Sequence, residues 1–452
     1  MEKTRFRFQL CVGLAVVLPW LLAGCQGPVD IMVASPPTSP APAMRPPATS
    51  PTQLPGDPLA ARTPVPDASY GPNDYVVLLT VAGGEERHLA YLSPAGSVEN
   101  LFPSEVGTAY NTFSAPTQAG RLVGEDMYGP GGLVVVDFAA EQVAKRALPP
   151  GRSAFYAQIS PDGRWIAFLE SDLGNLGSGR WRLATWEIET GNAFTITQSV
   201  EGEGGPLPAF WSPATGKIYW RLGLPATGAC PRGLWGADPQ GRETEEFVDG
   251  RGGGCADRLS LSPGGTSLAY RTYDASLGET LAADEMGPGR NEIRLLDLQE
   301  GSERVLWQGD TQCEVGLDGW LTDEVLVADQ ICPARDSMTA EVIALNLAGE
   351  KIASLWSGRR SVPWLQVLVS PNGSWLLVEG NASWSVVNVQ TGEKRVVHYP
   401  EYARQMVWCE GGDSLVYNTG CEDLQRLDLA TGESTLLWEG QGFDYIGIIA
   451  CR

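Results

Sequence analysis

The chain has 452 residues, 43% of them hydrophobic, and carries 32 Lys and Arg against 54 Asp and Glu, a formal net charge of −22. So acidic a chain excludes nucleic acid and bare anionic lipid surfaces as partners, since both are gripped through basic patches.

Taken from the N-terminus, "MEKTRFRFQLCVGLAVVLPWLLAGCQG" has a basic start at Lys3, Arg5 and Arg7 and an apolar stretch from Leu10 to Ala23. This is a signal-peptide pattern, and it is shorter than the ~20 residues a membrane span needs. Its end, "LLAGC", resembles the bacterial lipobox. That resemblance implies cleavage after residue 24, lipidation of Cys25 and an exported protein held on a membrane, because several acyl chains on one cysteine anchor stably. Loss of residues 1–24 removes three basic residues and one acidic residue and leaves a charge of −24. Residues 25–69 read as the lipidated N-terminus and a disordered linker, with twelve prolines between Gln26 and Ser69. Nothing there can bury a core, and in polyproline II its reach is on the order of 130 Å at full extension.

From residue 70 onward the chain repeats. "ISPDGRWIAF" (159–168), "LSPGGTSLAY" (261–270), "VSPNGSWLLV" (369–378) and "WSPATGKIYW" (211–220) share a turn followed by a short apolar strand. In "SPDG" the proline presets φ, the aspartate tolerates the bridge region and the glycine takes the left-handed conformation that follows. Weaker versions stand at 114–125, 317–328 and 408–418, and each copy is followed by a second hairpin with a Thr-Gly or similar turn, as in "TWEIETGNAFTIT" (185–197) and "VVNVQTGEKRVV" (386–397). One unit is thus strand, SPDG-type turn, strand, loop, strand, Thr-Gly turn, strand. A lone four-stranded meander cannot cover both its faces, and stacking such sheets around an axis does so. We therefore expect an all-β propeller of four-stranded antiparallel blades rather than stacked β-sandwiches, which need no repeating turn.

Near the N-terminal end of this region, "YVVLLTV" (75–81), "HLAYLSPAG" (88–96) and "SVENLF" (97–102) read as the second, third and fourth strands of a blade without its innermost strand. "GFDYIGIIACR" (442–452) is an apolar strand with no partner of its own. The expectation is that the C-terminal strand completes this blade and closes the ring. The count is then eight blades, with seven as the alternative. The quoted repeats resemble the WD40-like repeats of the periplasmic TolB family of β-propellers. That resemblance implies the fold and, for function, a protein-binding platform, although related propellers also serve peptidases and enzymes.

Seven cysteines lie beyond residue 25, and in an exported protein they read first as disulfides. The expected pairs are Cys230 with Cys255, Cys313 with Cys332 and Cys409 with Cys421. Cys451 is left over, and the alternative pairs it with Cys409 or Cys421. No CxxC pair occurs, so a metal site is the lesser reading.

Chemistry is sparse. His88 and His398 begin no HExxH pattern, and no GxSxG elbow is present; no hydrolase domain is expected after residue 452. The glycine-rich stretches at 201–206 and 250–255 lack the Lys-Ser/Thr of a phosphate loop. We therefore expect no catalytic residue, no cofactor and no metal. Carboxylates at Glu85–Glu86, Glu201 and Glu203, Glu243 and Glu245–Glu246, and Asp284–Glu285 read as solvated loops. Among the fourteen tryptophans beyond the leader, Trp165, Trp220, Trp375 and Trp408 read as strand residues filling the space between blades, while Trp181, Trp235 and Trp364 read as loop residues able to stack on a sugar or anchor a partner.

Two functions remain. One is a non-enzymatic envelope platform, anchored by lipid, that docks a protein or peptide. The other is a glycan-binding or hydrolytic or lyase propeller with two carboxylates ~5–10 Å apart at a channel mouth.

Overall fold

A computed structural model gives the structure of the protein. It describes residues 121–439 apart from 126–131, 138–141, 173–180, 200–204, 224–231, 249–253, 275–291, 311, 335–336, 361–364, 381–382, 398–402, 410 and 420–422, and beyond these the strands at 53–54, 63–64, 75–81, 87–92, 98–100, 112–113 and 443–451. Cys25, Cys230, Cys421, His398, Trp364 and the acidic pairs at 85–86, 201–203 and 284–285 lie outside the described residues.

Every regular element among the described residues is a strand. Seven four-stranded antiparallel meanders of consecutive strands follow one another along the chain. Blade I comprises β6 (Thr112–Phe113), β7 (Arg121–Glu125), β8 (Leu133–Asp137) and β9 (Gln142–Arg146); blade II comprises β10 (Arg152–Ile159), β11 (Trp165–Asp172), β12 (Arg182–Glu187) and β13 (Ala193–Gln198). Blade III is β14 (Gly205–Trp211) to β17 (Glu245–Val248) by way of β15 (Ile218–Gly223) and β16 (Arg232–Ala237). Blade IV holds β18 (Gly254–Leu261), β19 (Ser267–Asp274), β20 (Glu292–Asp297) and β21 (Glu303–Gln308). Blade V holds β22 (Glu314–Thr322), β23 (Val325–Ala334), β24 (Ser337–Asn346) and β25 (Lys351–Arg360). Blade VI runs through β26 (Val367–Val369), β27 (Trp375–Glu379), β28 (Trp384–Asn388) and β29 (Lys394–Val397), and blade VII through β30 (Ala403–Trp408), β31 (Ser414–Thr419), β32 (Asp423–Asp428) and β33 (Ser434–Glu439).

One further sheet is composite. β3 (Tyr75–Val81), β4 (Arg87–Leu92) and β5 (Val98–Asn100) receive β34 (Phe443–Cys451) as their fourth strand, with Tyr75 opposite Cys451 and Leu79 opposite Ile446. The C-terminal strand therefore closes the propeller. Seven counts the blades built from consecutive strands, and the composite sheet stands beside them. Within the proline-rich stretch, β1 (Gln53–Leu54) adds to the outer edge of β13 and β2 (Thr63–Pro64) to that of β9. Pro64 is tolerated there because an edge position asks for no inward N–H.

The strands are apolar on both faces, and alternation divides their side chains between two neighbours. In β11, Ile166 and Phe168 pack with Val123 and Val135 of blade I, while Trp165 and Ala167 pack with Trp211 and Trp220 of blade III. The same division recurs from blade to blade. Tyr219 and Leu268 join blades III and IV, Ala269 and Leu326 join IV and V, Val327 and Leu376 join V and VI, and Leu377 and Leu415 join VI and VII.

The SPDG-type turn has the geometry its residues dictate. Gly163, at φ +71°, donates to Ser160 O, and Ser160 Oγ accepts the Trp165 amide at 2.9 Å. These turns also touch in series. Ser212 Oγ donates to Gly265 O at 2.6 Å, the Gly264 amide to Asp323, and Asn372 Nδ2 to Gly411 O at 2.6 Å.

Candidate functional site: the bulged inner strands

In several blades the first strand lies against the first strand of the next, β10 against β14, β18 against β22 and β22 against β26, as the inner strands of a propeller do. Several of these strands break register at a similar place. The ladder skips between Phe155 and Gln158 in β10, Pro208 and Phe210 in β14, Asp257 and Ser260 in β18, Leu317 and Gly319 in β22, and Ala403 and Met406 in β30. A bulge leaves backbone groups outside the ladder and re-aims a side chain.

Two of these bulges hold the only non-glycine residues with positive φ among the described residues, Tyr156 at +55° and Arg258 at +47°. Each stands four residues before the serine of its turn, Ser160 and Ser262. Left-handed backbone is costly for side chains such as these and marks a place where the surroundings over-determine the conformation. Tyr156 is 53% exposed, and the Arg258 side chain 43%.

The surroundings supply the missing partners. Trp211 Nε1 donates to Gln158 O at 3.2 Å, and Trp320 Nε1 to Ser260 O at 3.0 Å, so an indole of the next blade takes the carbonyl each bulge displaces. On the other side, Glu125 at the end of β7 accepts the Ala157 amide at 2.8 Å and also the Tyr156 amide. Burial outweighs those two hydrogen bonds and raises the Glu125 carboxyl to about 7.

Beside Arg258 lies a buried charged cluster. Asp318, in the β22 bulge, and Asp329 of β23 are hydrogen-bonded to each other, and the Arg258 Nη1 is 4.0 Å from Asp318. Arg271 pairs with Glu314 at 3.1 Å, and the buried Arg360 with Glu379 at 3.7 Å. Burial, then the Asp329 charge, push Asp318 well above the usual carboxylate range; burial raises Asp329 to about 6 against the opposing pull of Arg258. Burial and mutual contact thus disfavour ionisation of both aspartates at once. Gly316 is required beside it, because a Cβ there would lie 2.0 Å from an Asp329 oxygen.

The residues singled out from sequence fall elsewhere. Cys313 and Cys332 are joined by a disulfide with Cα atoms 4.2 Å apart, one step beyond the Glu314–Ile331 pair of the β22–β23 hairpin. Cys409 is disulfide-bonded as well. Cys255 lies on β18, Cys451 on β34 and His88 on β4 opposite Leu79. Glu245 and Glu246 are exposed on the outer strand β17 rather than in a loop.

Trp181 stands one residue before β12 and Trp235 within β16 rather than in a loop, and both are packed against other side chains. Trp181 is buried against Phe155 and Gly205, and Trp235 sits in β16 opposite Trp220, in the core between blades II and III. Among the described residues no group of three or more His, Cys, Asp or Glu is arranged to hold a metal ion. The sequence reading passed over Glu125, Tyr156, Arg258, Asp318 and Asp329. The available signal was the constant offset of Tyr156 and Arg258 from their turns.

No protein-family model matches the chain. A search of curated proteins finds no match. Among solved structures, the fold is similar to dipeptidyl peptidase 4 of Porphyromonas gingivalis, with a TM-score of 0.53 at 11% identity over 79% of this chain and 58% of that one. It is similar to the dihydro-heme d1 dehydrogenase NirN in complex with DHE, with a TM-score of 0.50 at 12% identity over 88% and 80% of the two chains. TolB of Acinetobacter baumannii aligns over 61% of this chain and 69% of its own at 12% identity, with a TM-score of 0.33. At such identities the likeness is one of fold alone.

Proposed function

We propose that the protein is a lipid-anchored protein of a bacterial envelope that displays its propeller as a non-enzymatic platform for a protein or peptide partner. One observation carries the reading. Tyr156 and Arg258 are held in left-handed backbone at equivalent bulges of two inner strands, and both side chains reach solvent. Tyr and Arg are the residue types that dominate protein interfaces once a partner desolvates them, and strain retained at an exposed rim points to use. The acid pair beside Arg258, Asp318 with Asp329, is in hydrogen-bonding contact and 2–3% exposed. Two carboxylates in that relation leave no space for a sugar between them, which favours the platform over glycoside chemistry. The "LLAGC" end of the leader and the proline-rich stretch that follows support the anchor and the spacer.

The test is photo-crosslinking in native membranes, with a benzophenone amino acid placed at Tyr156 or, as a control, at exposed Val396 of the outer strand β29. The expected result is one reproducible protein adduct from position 156 and none from 396. Equal labelling from both positions, or no protein adduct from 156, overturns the rim as the docking surface. Radiolabelled palmitate should mark the wild-type protein and not the Cys25→Ser variant; equal labelling of both would remove the anchor.

A further inference from the structure

Glu125 is a buried acid in an uncommon position. It ends β7, pairs with Thr112 of β6 and Leu133 of β8, and spends its carboxylate on the neighbouring blade. Its acceptors there are used by the Tyr156 and Ala157 amides, the two donors that the β10 bulge withdraws from the ladder. An unpaired buried amide is costly, so the bulge and the acid satisfy each other across the interface. We propose that Glu125 is the positioning residue of the rim: its ionised carboxylate fixes the Tyr156–Ala157 bulge from the adjoining blade, so the presentation of the Tyr156 ring follows the protonation of one acid. This deepens the platform reading given above, on which the role of the Tyr156 ring rests.

The other charges near this interface are already engaged. Strand alternation puts Glu170 on the face of β11 that looks toward blade I, and its carboxylate is taken by Arg182 at 2.5 Å with Arg152 at 3.6 Å. Arg146 of β9 donates to Gly191 O and lies over the Trp186 ring. At the far end of β7, Arg121 is paired with Asp137 at 2.6 Å. None of these figures among the causes of the Glu125 shift, which are burial and the two amides. As an anion Glu125 accepts both amides; once protonated it offers one oxygen fewer as a strong acceptor. The bulge is therefore held more firmly above the titration than below it.

The experiment needs no partner. The full chain is labelled with 15N-alanine and 15N-tyrosine, and the amide resonances of Ala157 and Tyr156, assigned through Ala157→Gly and Tyr156→Phe, are followed from pH 5 to pH 9. The expected result is a common downfield movement of both amides with a midpoint near 7, retained with a displaced midpoint in Glu125→Asp and absent in Glu125→Gln. Amides that stay flat in the wild type overturn the proposal whatever the variants do, as does an unchanged titration in Glu125→Gln. A positive titration without a crosslink from position 156 would leave the switch standing and remove only the docking role.

Discussion

At the scale of single residues, buried acids set how stability responds to pH. Asp318, Asp329 and Glu125 all carry pKa values raised by burial. A carboxyl raised in the folded state favours folding below its unfolded pKa, and that contribution is lost as pH rises through the folded value. For Glu125 the window runs from about 4.5 to about 7, and its full width corresponds to roughly 3 kcal/mol. The aspartate pair, raised by burial as well, acts in the same direction. Asp318→Asn keeps a donor toward Asp329 and cannot ionise. We expect it to raise stability at pH 8 by about 1–3 kcal/mol and to flatten the alkaline fall in melting temperature, measured by calorimetry from pH 5 to pH 9. A variant that tracks the wild type across that range would show that the pair is not the source of the fall. None of this was legible in the sequence. Asp318 and Asp329 come together only through the β22 bulge, and Glu125 reaches its amides only because another blade packs upon it, so neither spacing nor composition announces them.

At the scale of elements, the repeat was legible because turn chemistry is local. Ser160, Ser212, Ser262 and Ser370 each head a turn whose glycine has positive φ, and the apolar strand after each turn is buried. What the motif withholds is the neighbour. Gly373 (φ +67°) and Gly392 (φ +69°) have the same backbone need, yet a Cβ at Gly373 would lie 2.1 Å from Leu321 O of blade V, whereas nothing lies within 4 Å at Gly392. Gly392→Ala should cost about 1–2 kcal/mol from backbone alone, and Gly373→Ala distinctly more, because backbone of the next blade must yield. Urea unfolding of the two variants measures the difference, and equal losses would mean that the turn of blade VI is free to move away from blade V. The tryptophans follow the same logic. Trp181 and Trp235 were read as loop residues able to stack on a ligand, but their packing is decided by residues distant in sequence, Phe155 and Gly205 for Trp181 and Trp220 for Trp235.

At the scale of the whole molecule, the fold was legible at both ends of the repeat region: three strands lacking an inner partner near the start, and one strand lacking any near the end. Their union is the composite sheet. Without β34, the inner edge of β3 would present its unpaired backbone to any other chain. A chain truncated before Phe443 is therefore expected to lose the cooperative unfolding of the wild type and to associate, read by calorimetry and by light scattering. A truncated chain that stays monomeric with an unchanged transition would show that the ring does not depend on its closing strand. The proline-rich stretch was less legible. Its composition was read as a spacer without a core and says nothing of two short strand pairings on the outer edges of blades I and II.

The composite sheet also fixes an order in time. β3 leaves the ribosome more than 350 residues before the strand that completes its sheet, and at ~5–20 residues per second that interval is roughly 20–70 s. For all of it the nascent ring stands open, with one apolar strand edge waiting. The same pairing that covers the edge of β3 in the finished molecule thus makes its birth the moment of greatest exposure, and a holdase that shields residues 75–81 until translation ends is the help this topology asks for.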